Sequence, residues 1–458
     1  MVALHQVPLE SAAVDPSIPD DDLVIALGPD ATLVQAGADA LAEAAGADEA
    51  DAWFGDIDVA GTITRRSAWS PTRLIADGSA ASPVAVRAGW LRRHGMHPGA
   101  ADLTLRLARS KATVVHVTAV LTRHASPPTP PSPAEITDHL AAVGIPATHD
   151  EGRLIPFDTF APEVTVVIPT AGAPLDDGTP AIDRLLERLG DLPVRINVVI
   201  IIGDEYRGDA GALEGSGRVV VRRPPGPFNF SAAVNLGVLE ARSELVLLLN
   251  DDTEPDGYRF IDQMAVHLAD PGVAGVGALL TYPNGTVQHA GVVIDDARPL
   301  HSFVGWNPSD TAPHGGHLAR EVVAVTGGCL LVRRADYLAV GGLSTSFPLS
   351  FNDVDLCIRL GRAVGRIVIE PAATLVHHET LSREPVIAPE EWDRWIHRWG
   401  EIVDPWYHPG HRRPDDPHAL ARNADHLTPD DAELELVTTR RPLLASIVHR
   451  GRLAPTSR

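Results

Sequence analysis

The sequence predicts an α/β protein, with a mixed, mostly parallel sheet flanked by helices and a smaller N-terminal half-domain of related type. Three observations predict it. Short, wholly apolar runs recur, such as VVIII at 198–202 and LVLLL at 245–249. Runs of this kind suit strands covered on both faces. Helical patterns such as RLLERLG at 184–190 and SAAVNLGVLEARS at 231–243 alternate with them, as in strands joined by crossovers. The proline-rich HASPPTPPSP at 124–133 then divides the chain, because it supports neither regular helix nor sheet.

The 458 residues exceed one ordinary core and predict two or three domains. Residues 1–124 read as the half-domain. Residues 125–160 read as a proline-rich linker with a short helix at AEITDHLAAVG, 134–144. Residues 161–385 read as the main α/β domain, opening on the strand VTVVIPT at 164–170. RVVVRR at 218–223 reads as a further strand, and Ser231 as the N-cap of the helix after it. Residues 386–458 read as a helical and irregular extension, with WDRWIHRWG at 392–400 as its helix.

Composition narrows the function. A net charge of -22 argues against nucleic acid, whose phosphates would be repelled. An anionic ligand is still admissible if a divalent cation accompanies it. Two cysteines, Cys329 and Cys357, are too few for a disulfide framework and suit a reducing cytosol. The first residues do not read as a signal peptide, and the apolar runs are too short to span a bilayer. A cytoplasmic protein is expected. The tail TTRRPLLASIVHRGRLAPTSR at 438–458 sets Arg440, Arg441, Arg450 and Arg452 beside apolar residues. That pattern permits peripheral contact with an anionic membrane, although such tails are more often solvated.

An internal repeat is visible. VDLCIRLGRAVGRIVIEPAATLVHH at 354–378 matches ADLTLRLARSKATVVHVTAVLTRH at 101–124. Asp102, Arg106, Arg109 and His124 fall opposite Asp355, Arg359, Arg362 and His377, and Ala100 falls opposite Asp353. Upstream, VRAGWLRRHG at 86–95 matches VRRADYLAVGG at 332–342. The second copy carries extra residues between these matches, in the loop with Phe351, Asn352 and Asp353. The first copy therefore reads as the back half of a related domain without its active loop or a metal motif.

Three clusters carry candidate chemistry. Asn250-Asp251-Asp252-Thr253-Glu254 follows the strand LVLLL. Ligands of open α/β sheets bind at the carboxyl ends of strands, and carboxylates there hold hard divalent ions through oxygen. In SFPLSFNDVDLCIRL at 346–360, Asp353 sits in the loop and is the candidate general base; Asp355 reads as a helix-start residue. In LVHHET at 375–380, His377 and His378 offer a metal or phosphate contact. Neighbouring strand residues face opposite ways, so one of the two enters the site; His377 is preferred because it falls opposite His124. Asp204, in IIIGDEY, reads equally as a contact to a uracil or thymine ring or as a solvated turn. Gly327 and Gly328 allow close approach of backbone to ligand or make an ordinary turn.

The ordered motifs VTVVIPT, IIIGDEY, FNFSAAVNLGV, LVLLLNDDTEP, TGGCLLVRR, VGGLSTSF, FNDVDLCIRL and EPAATLVHHET resemble the family 2 glycosyltransferases, nearest their bacterial rhamnosyltransferase-like branch. The resemblance covers about 164–380. It implies the GT-A fold, an inverting mechanism and Mn²⁺ or Mg²⁺. It implies metal contacts from Asn250, Asp252, His377 and His378, with Asp353 as base. Donor contacts are expected from Pro169, Thr170, Asp204, Asn235, Asp251, Gly327 and Gly328. The implied partners are a nucleotide sugar, UDP- or dTDP-linked rather than GDP-linked, and a glycan or lipid-linked acceptor of the cell envelope. Two departures stand out. Asn352 replaces the family's usual Glu before Asp353, and Gly203 separates Asp204 from its strand. A catalytically impaired relative acting as a binding module is the alternative.

Overall fold

The structure is a computed structural model and describes residues 2–11, 13–78, 83–215, 218–223, 225–378 and 387–407. The tail at 438–458 lies outside the described residues. The chain divides into two compact units, one running to Arg153 and taking in the stretch from Pro405, the other running from Leu154 to Asp404. Among the described residues no helix is long and apolar enough to cross a membrane.

In the second unit the apolar runs become the central strands. Their order is Val219–Arg222, Ile196–Ile202, Val164–Pro169, Leu245–Leu249, Cys329–Arg333, Val273–Thr281, Arg366–His377 and Thr253–Pro255. The first four are mutually parallel, and Cys329–Arg333 runs against both of its neighbours. All five residues of Leu245–Leu249 are buried, which explains the unbroken apolar run. Leu247 packs with Val166, Ile200 and Leu331 in one core, and each such side chain stabilises by roughly 1.5–3 kcal/mol on full burial. The helix Ala181–Leu189 buries Ile182, Leu185 and Leu189, a single stripe at helical spacing.

One helix start differs from expectation. The helix Phe230–Glu240 is capped by Asn229, whose side chain accepts from the Ala232 N–H. Ser231 already lies inside the helix, and its hydroxyl donates to the Phe347 carbonyl at 2.6 Å. That long-range bond was invisible to a local capping argument.

The first unit repeats the last six strands of this sheet. Its order is Leu4–Pro8, Leu23–Leu27, Ala85–Arg87, Ala52–Val59, Val114–His124 and Ala31–Leu33. The registers correspond: Leu23 pairs with Arg87 as Leu245 pairs with Arg333, and Ala31 pairs with His124 as Thr253 pairs with His377. Even a bond beyond the strands recurs, since the Ala125 N–H donates to the Asp30 carbonyl as the His378 N–H donates to that of Asp252. The first copy is thus fuller than its expected back half. It starts with the strand at Leu4, and Asp30 stands in the place of Asp252, a correspondence the sequence comparison missed.

Most of the expected linker, as far as Arg153, also falls inside the first unit. Its helix Pro133–Val143 opens on a capping box between Ser132 and Glu135 and buries Ile136 and Leu140. Gly78 ends the helix Pro71–Asp77 at φ 67, where a side chain would sit 2.2 Å from the Pro130 side chain. Only glycine allows the prolines to lie that close.

Candidate active site

The parallel pairing of Val164–Pro169 with Leu245–Leu249 puts their carboxyl ends on one edge of the sheet. Leu249 pairs with Cys329, so the turn Thr326–Gly328 arrives at that edge. There the Asn250 N–H donates to the Gly328 carbonyl at 3.0 Å. The pairing of Thr253 with His377 adds the histidine.

The donor atoms gathered there suit a divalent cation. Asp251 accepts a hydrogen bond from the Thr170 hydroxyl at 2.5 Å. Burial, and then repulsion from Asp252, pushes the Asp251 carboxyl up to about 7, an electrostatic strain that a cation would relieve. Asp252 Oδ1 lies 3.0 Å from His377 Nε2, yet the contact lacks hydrogen-bond geometry and leaves that oxygen buried without a partner. His377 Nδ1 lies 2.6 Å from Gln288 Oε1, which only accepts, so Nδ1 holds the proton and Nε2 presents its lone pair. Asn250 Nδ2 is 3.4 Å from the same nitrogen, and Asn250 Oδ1 is likewise buried without a partner. Two orphaned oxygens beside an imidazole lone pair form a hard-donor set that fits Mn²⁺ or Mg²⁺. Among the described residues no group of three or more His, Cys, Asp or Glu side chains is placed to hold a metal ion, so the set is limited to Asp252, His377 and the Asn250 amide.

Asp353 hangs from the same turn. Its Oδ2 accepts from the Gly327 N–H at 2.8 Å, and its Oδ1 from the Val354 N–H at 2.8 Å. Asp353 was expected in a loop, but it lies in the first turn of the helix Asn352–Ala363. The residue before the helix, Phe351, has φ 63, a strained value for a bulky side chain. Its ring stacks on Trp395 at 5.0 Å, which holds the chain in that turn. Asn352 Nδ2 is buried without a hydrogen-bond partner.

Asp355 is fully buried and faces away from this chemistry. Its carboxylate meets Arg359 at 2.6 Å, Arg398 at 2.9 Å and the Trp399 indole N–H at 2.9 Å. Burial alone would raise its pKa, but the guanidiniums of Arg359 and Arg398 outweigh it and hold the group low. Arg398 and Trp399 belong to the helix Pro389–Trp399, so this helix of the expected extension is part of the unit. Glu391 on the same helix accepts the N–H groups of Leu349 and Ser350 at 2.9 and 2.8 Å. The helix therefore grips the segment leading into Asp353 from two sides.

The other expected residues divide. Pro169 ends its buried strand, directly before Thr170. Asp204 is exposed beyond Ile196–Ile202, while its neighbour Glu205 pairs with Arg223. Gly327 and Gly328 take part through backbone groups, and a side chain at either would make only ordinary contacts, at 3.4 Å or more. His378 lies apart from the cluster, 2.8 Å from Glu254, which also meets Arg188. Asn235 does not reach a donor position: it is 1% exposed, its Nδ2 donates to the Leu343 carbonyl, and its Oδ1 accepts from Tyr337 and the Leu343 N–H.

The chain is similar in sequence to known proteins. The chain is 29% identical to the O-antigen biosynthesis protein RfbC of Myxococcus xanthus over 67% of its own length. It is 26% identical to the N-acetylglucosaminyl-diphospho-decaprenol L-rhamnosyltransferase of Mycobacterium tuberculosis, over 48% of this chain and 80% of that protein. The chain is thus similar in sequence to bacterial glycosyltransferases of envelope-glycan synthesis. An uncharacterized protein of Sinorhizobium fredii is 35% identical over 54% of this chain. The chain spans only 29% of that protein and 26% of RfbC. No family model matches. Among solved structures, GalNAc-T7 with UDP, GalNAc and Mn²⁺ aligns over 53% of this chain and 50% of its own, at 14% identity and TM-score 0.43.

Three residues of this site carry no sequence signal strong enough to single them out. Gln288 sets the His377 tautomer. His289, fully buried, accepts the Thr326 N–H through Nε2 at 3.3 Å and so fixes the turn that holds Asp353. Glu391 supports the segment that leads into Asp353. The adjacent QH pair after a Gly-Thr turn was the one local signal available for the first two.

Proposed function

We propose that the second unit transfers a sugar from a nucleoside diphosphate to an acceptor hydroxyl in the assembly of a cell-envelope glycan. The observation that carries this reading is the single turn Thr326–Gly328, which joins the orphaned oxygens at Asn250 and Asp252 to the carboxylate of Asp353. Asn250, Asp252 and His377 would hold Mn²⁺ or Mg²⁺, which when bound offsets the charge of a departing diphosphate. Thr170 and Asp251 line the donor side of the same edge, and Asp204 is the candidate contact for the base of UDP or dTDP.

Asp353 takes the acceptor proton on a carboxylate oxygen as the new bond forms at the anomeric carbon. The backbone N–H groups of Gly327 and Val354 aim that carboxylate. One base and no covalent intermediate amount to a single displacement, which inverts the sugar stereocentre. Incubation with UDP- and dTDP-sugars, a lipid-linked acceptor and Mn²⁺ tests the reading. A glycosylated product of inverted anomeric configuration supports it. Absence of both transfer and donor hydrolysis across that panel would reject it.

A further inference from the structure

The first unit keeps a cavity at the edge where the second unit carries its chemistry. It has a volume of about 370 Å³ and is lined by Asp30, His124, Ala100, Thr104, Glu135 and the Pro127–Pro131 strap, among others. That volume lies within the usual range of ligand pockets, roughly 300–1,000 Å³. Register fixes the correspondence: Asp30 stands where Asp252 stands and His124 where His377 stands. Ala100 falls opposite Asp353, and the match continues into the helix beyond, where Asp102 pairs with Arg106 as Asp355 pairs with Arg359.

The differences decide what this cavity takes. Ala100 has no proton acceptor, so the base is gone. His124 Nε2 is 2.8 Å from the Thr122 hydroxyl and Asp30 accepts from the Ser126 hydroxyl at 3.0 Å. The orphaned, cation-seeking oxygens of the second unit are not reproduced. No Lys or Arg is among the described residues lining the cavity, while Asp30 and Glu135 make it acidic, so a diphosphate would be repelled. Among the described residues the sheet also stops at Leu4–Pro8, without counterparts of the strands Ile196–Ile202 and Val219–Arg222. What remains is carboxylate, hydroxyl and imidazole groups set among rigid proline walls, a lining suited to a neutral polyhydroxylated ring.

We infer that the first unit is a non-catalytic glycan-binding module whose cavity holds a neutral pyranose unit. The inference rests on the sugar-transfer reading of the second unit, because the correspondence of the two sites names the ligand class. Saturation-transfer NMR on the full chain, in chelator and without nucleotide, tests it with the methyl glycosides of rhamnose, galactose, glucose and N-acetylglucosamine as probes. At least one probe should show transfer. Ala100→Trp, which fills the cavity, and Asp30→Asn, which retains size, should each reduce that signal at least fivefold, while Asp353→Asn leaves it intact. Unchanged far-UV circular dichroism and donor turnover in Ala100→Trp would show that the fold survives. No transfer from any probe, or transfer lost in Asp353→Asn but kept in Ala100→Trp, overturns the inference and leaves the reading of the second unit standing. Signal at the first unit alongside a complete lack of sugar transfer would sink that reading instead and leave a sugar-binding cavity.

Discussion

Gly327 donates its backbone N–H to Asp353 Oδ2 at 2.8 Å. The next residue on the same turn accepts the Asn250 N–H, so the candidate base and the candidate cation site share one anchor. Disturbing either should be felt by the other only through this turn.

Replacing Asp252 with Ala removes one orphaned oxygen, and His377→Ala removes the lone pair beside it. Both should abolish Mn²⁺-linked UDP binding in isothermal titration. Gln288→Leu keeps the ligands but frees the imidazole tautomer, and should weaken Mn²⁺ about 10–100-fold, the usual scale for a supporting partner of a metal ligand. Wild-type affinity in Gln288→Leu would mean that the tautomer is set some other way.

Asp355 predicts a pH dependence of stability. Its folded pKa is depressed, with the guanidiniums of Arg359 and Arg398 outweighing burial. A depressed carboxylate stabilises above its unfolded pKa, about 3.9, and loses that contribution as pH falls through the folded value. Asp355→Asn should cost roughly 3–5 kcal/mol at pH 7, since two buried guanidiniums lose their partner. In denaturant titrations the gap to wild type should narrow below about pH 4. A gap independent of pH would point to packing alone.

Asn235→Ala separates position from contact. Its amide is fully engaged with Leu343 and Tyr337, so the loss should appear as about 1–3 kcal/mol of stability, with donor affinity unchanged. Weaker donor binding in a fully folded variant would restore the contact role expected from sequence.

Much of this was legible in the sequence and some was not, for physical reasons. Burial on both faces writes itself as unbroken apolar runs, which is why Leu245–Leu249 and Ile196–Ile202 were readable. The spacing of Asp355 and His377 against Asp102 and His124 gave the repeat. Asp30 was missed because its flanks, Gly28 and Pro29, share nothing with Asn250 and Asp251; only strand register aligns them. Gln288, Asn235 and Glu391 act across long sequence separations, so no local pattern marks them. His377 and His378 lie beside different carboxylates, Asp252 and Glu254, and that choice depends on how the Arg366–His377 strand meets Thr253–Pro255.

Glu391 tests the grip of the helix Pro389–Trp399 on the segment that leads into Asp353. Glu391→Ala leaves the Leu349 and Ser350 N–H groups without their acceptor. It should speed their hydrogen exchange and lower turnover several-fold, the scale of a modest misplacement of a catalytic group. Glu391→Gln keeps an acceptor oxygen and should recover most of the activity. Equal loss in both variants would indicate a need for the charge rather than for the hydrogen bonds.

The central claim is that Asp353 is the base, and Asp353→Asn is its most direct test. The substitution keeps size and polarity but removes the proton acceptor, which is needed only as the transfer occurs. Donor affinity by isothermal titration should stay near wild type, while turnover falls about a hundredfold or more. Asp353→Asn with full turnover, beside an intact and folded Asp355→Asn that has lost it, would place the base on the wrong carboxylate.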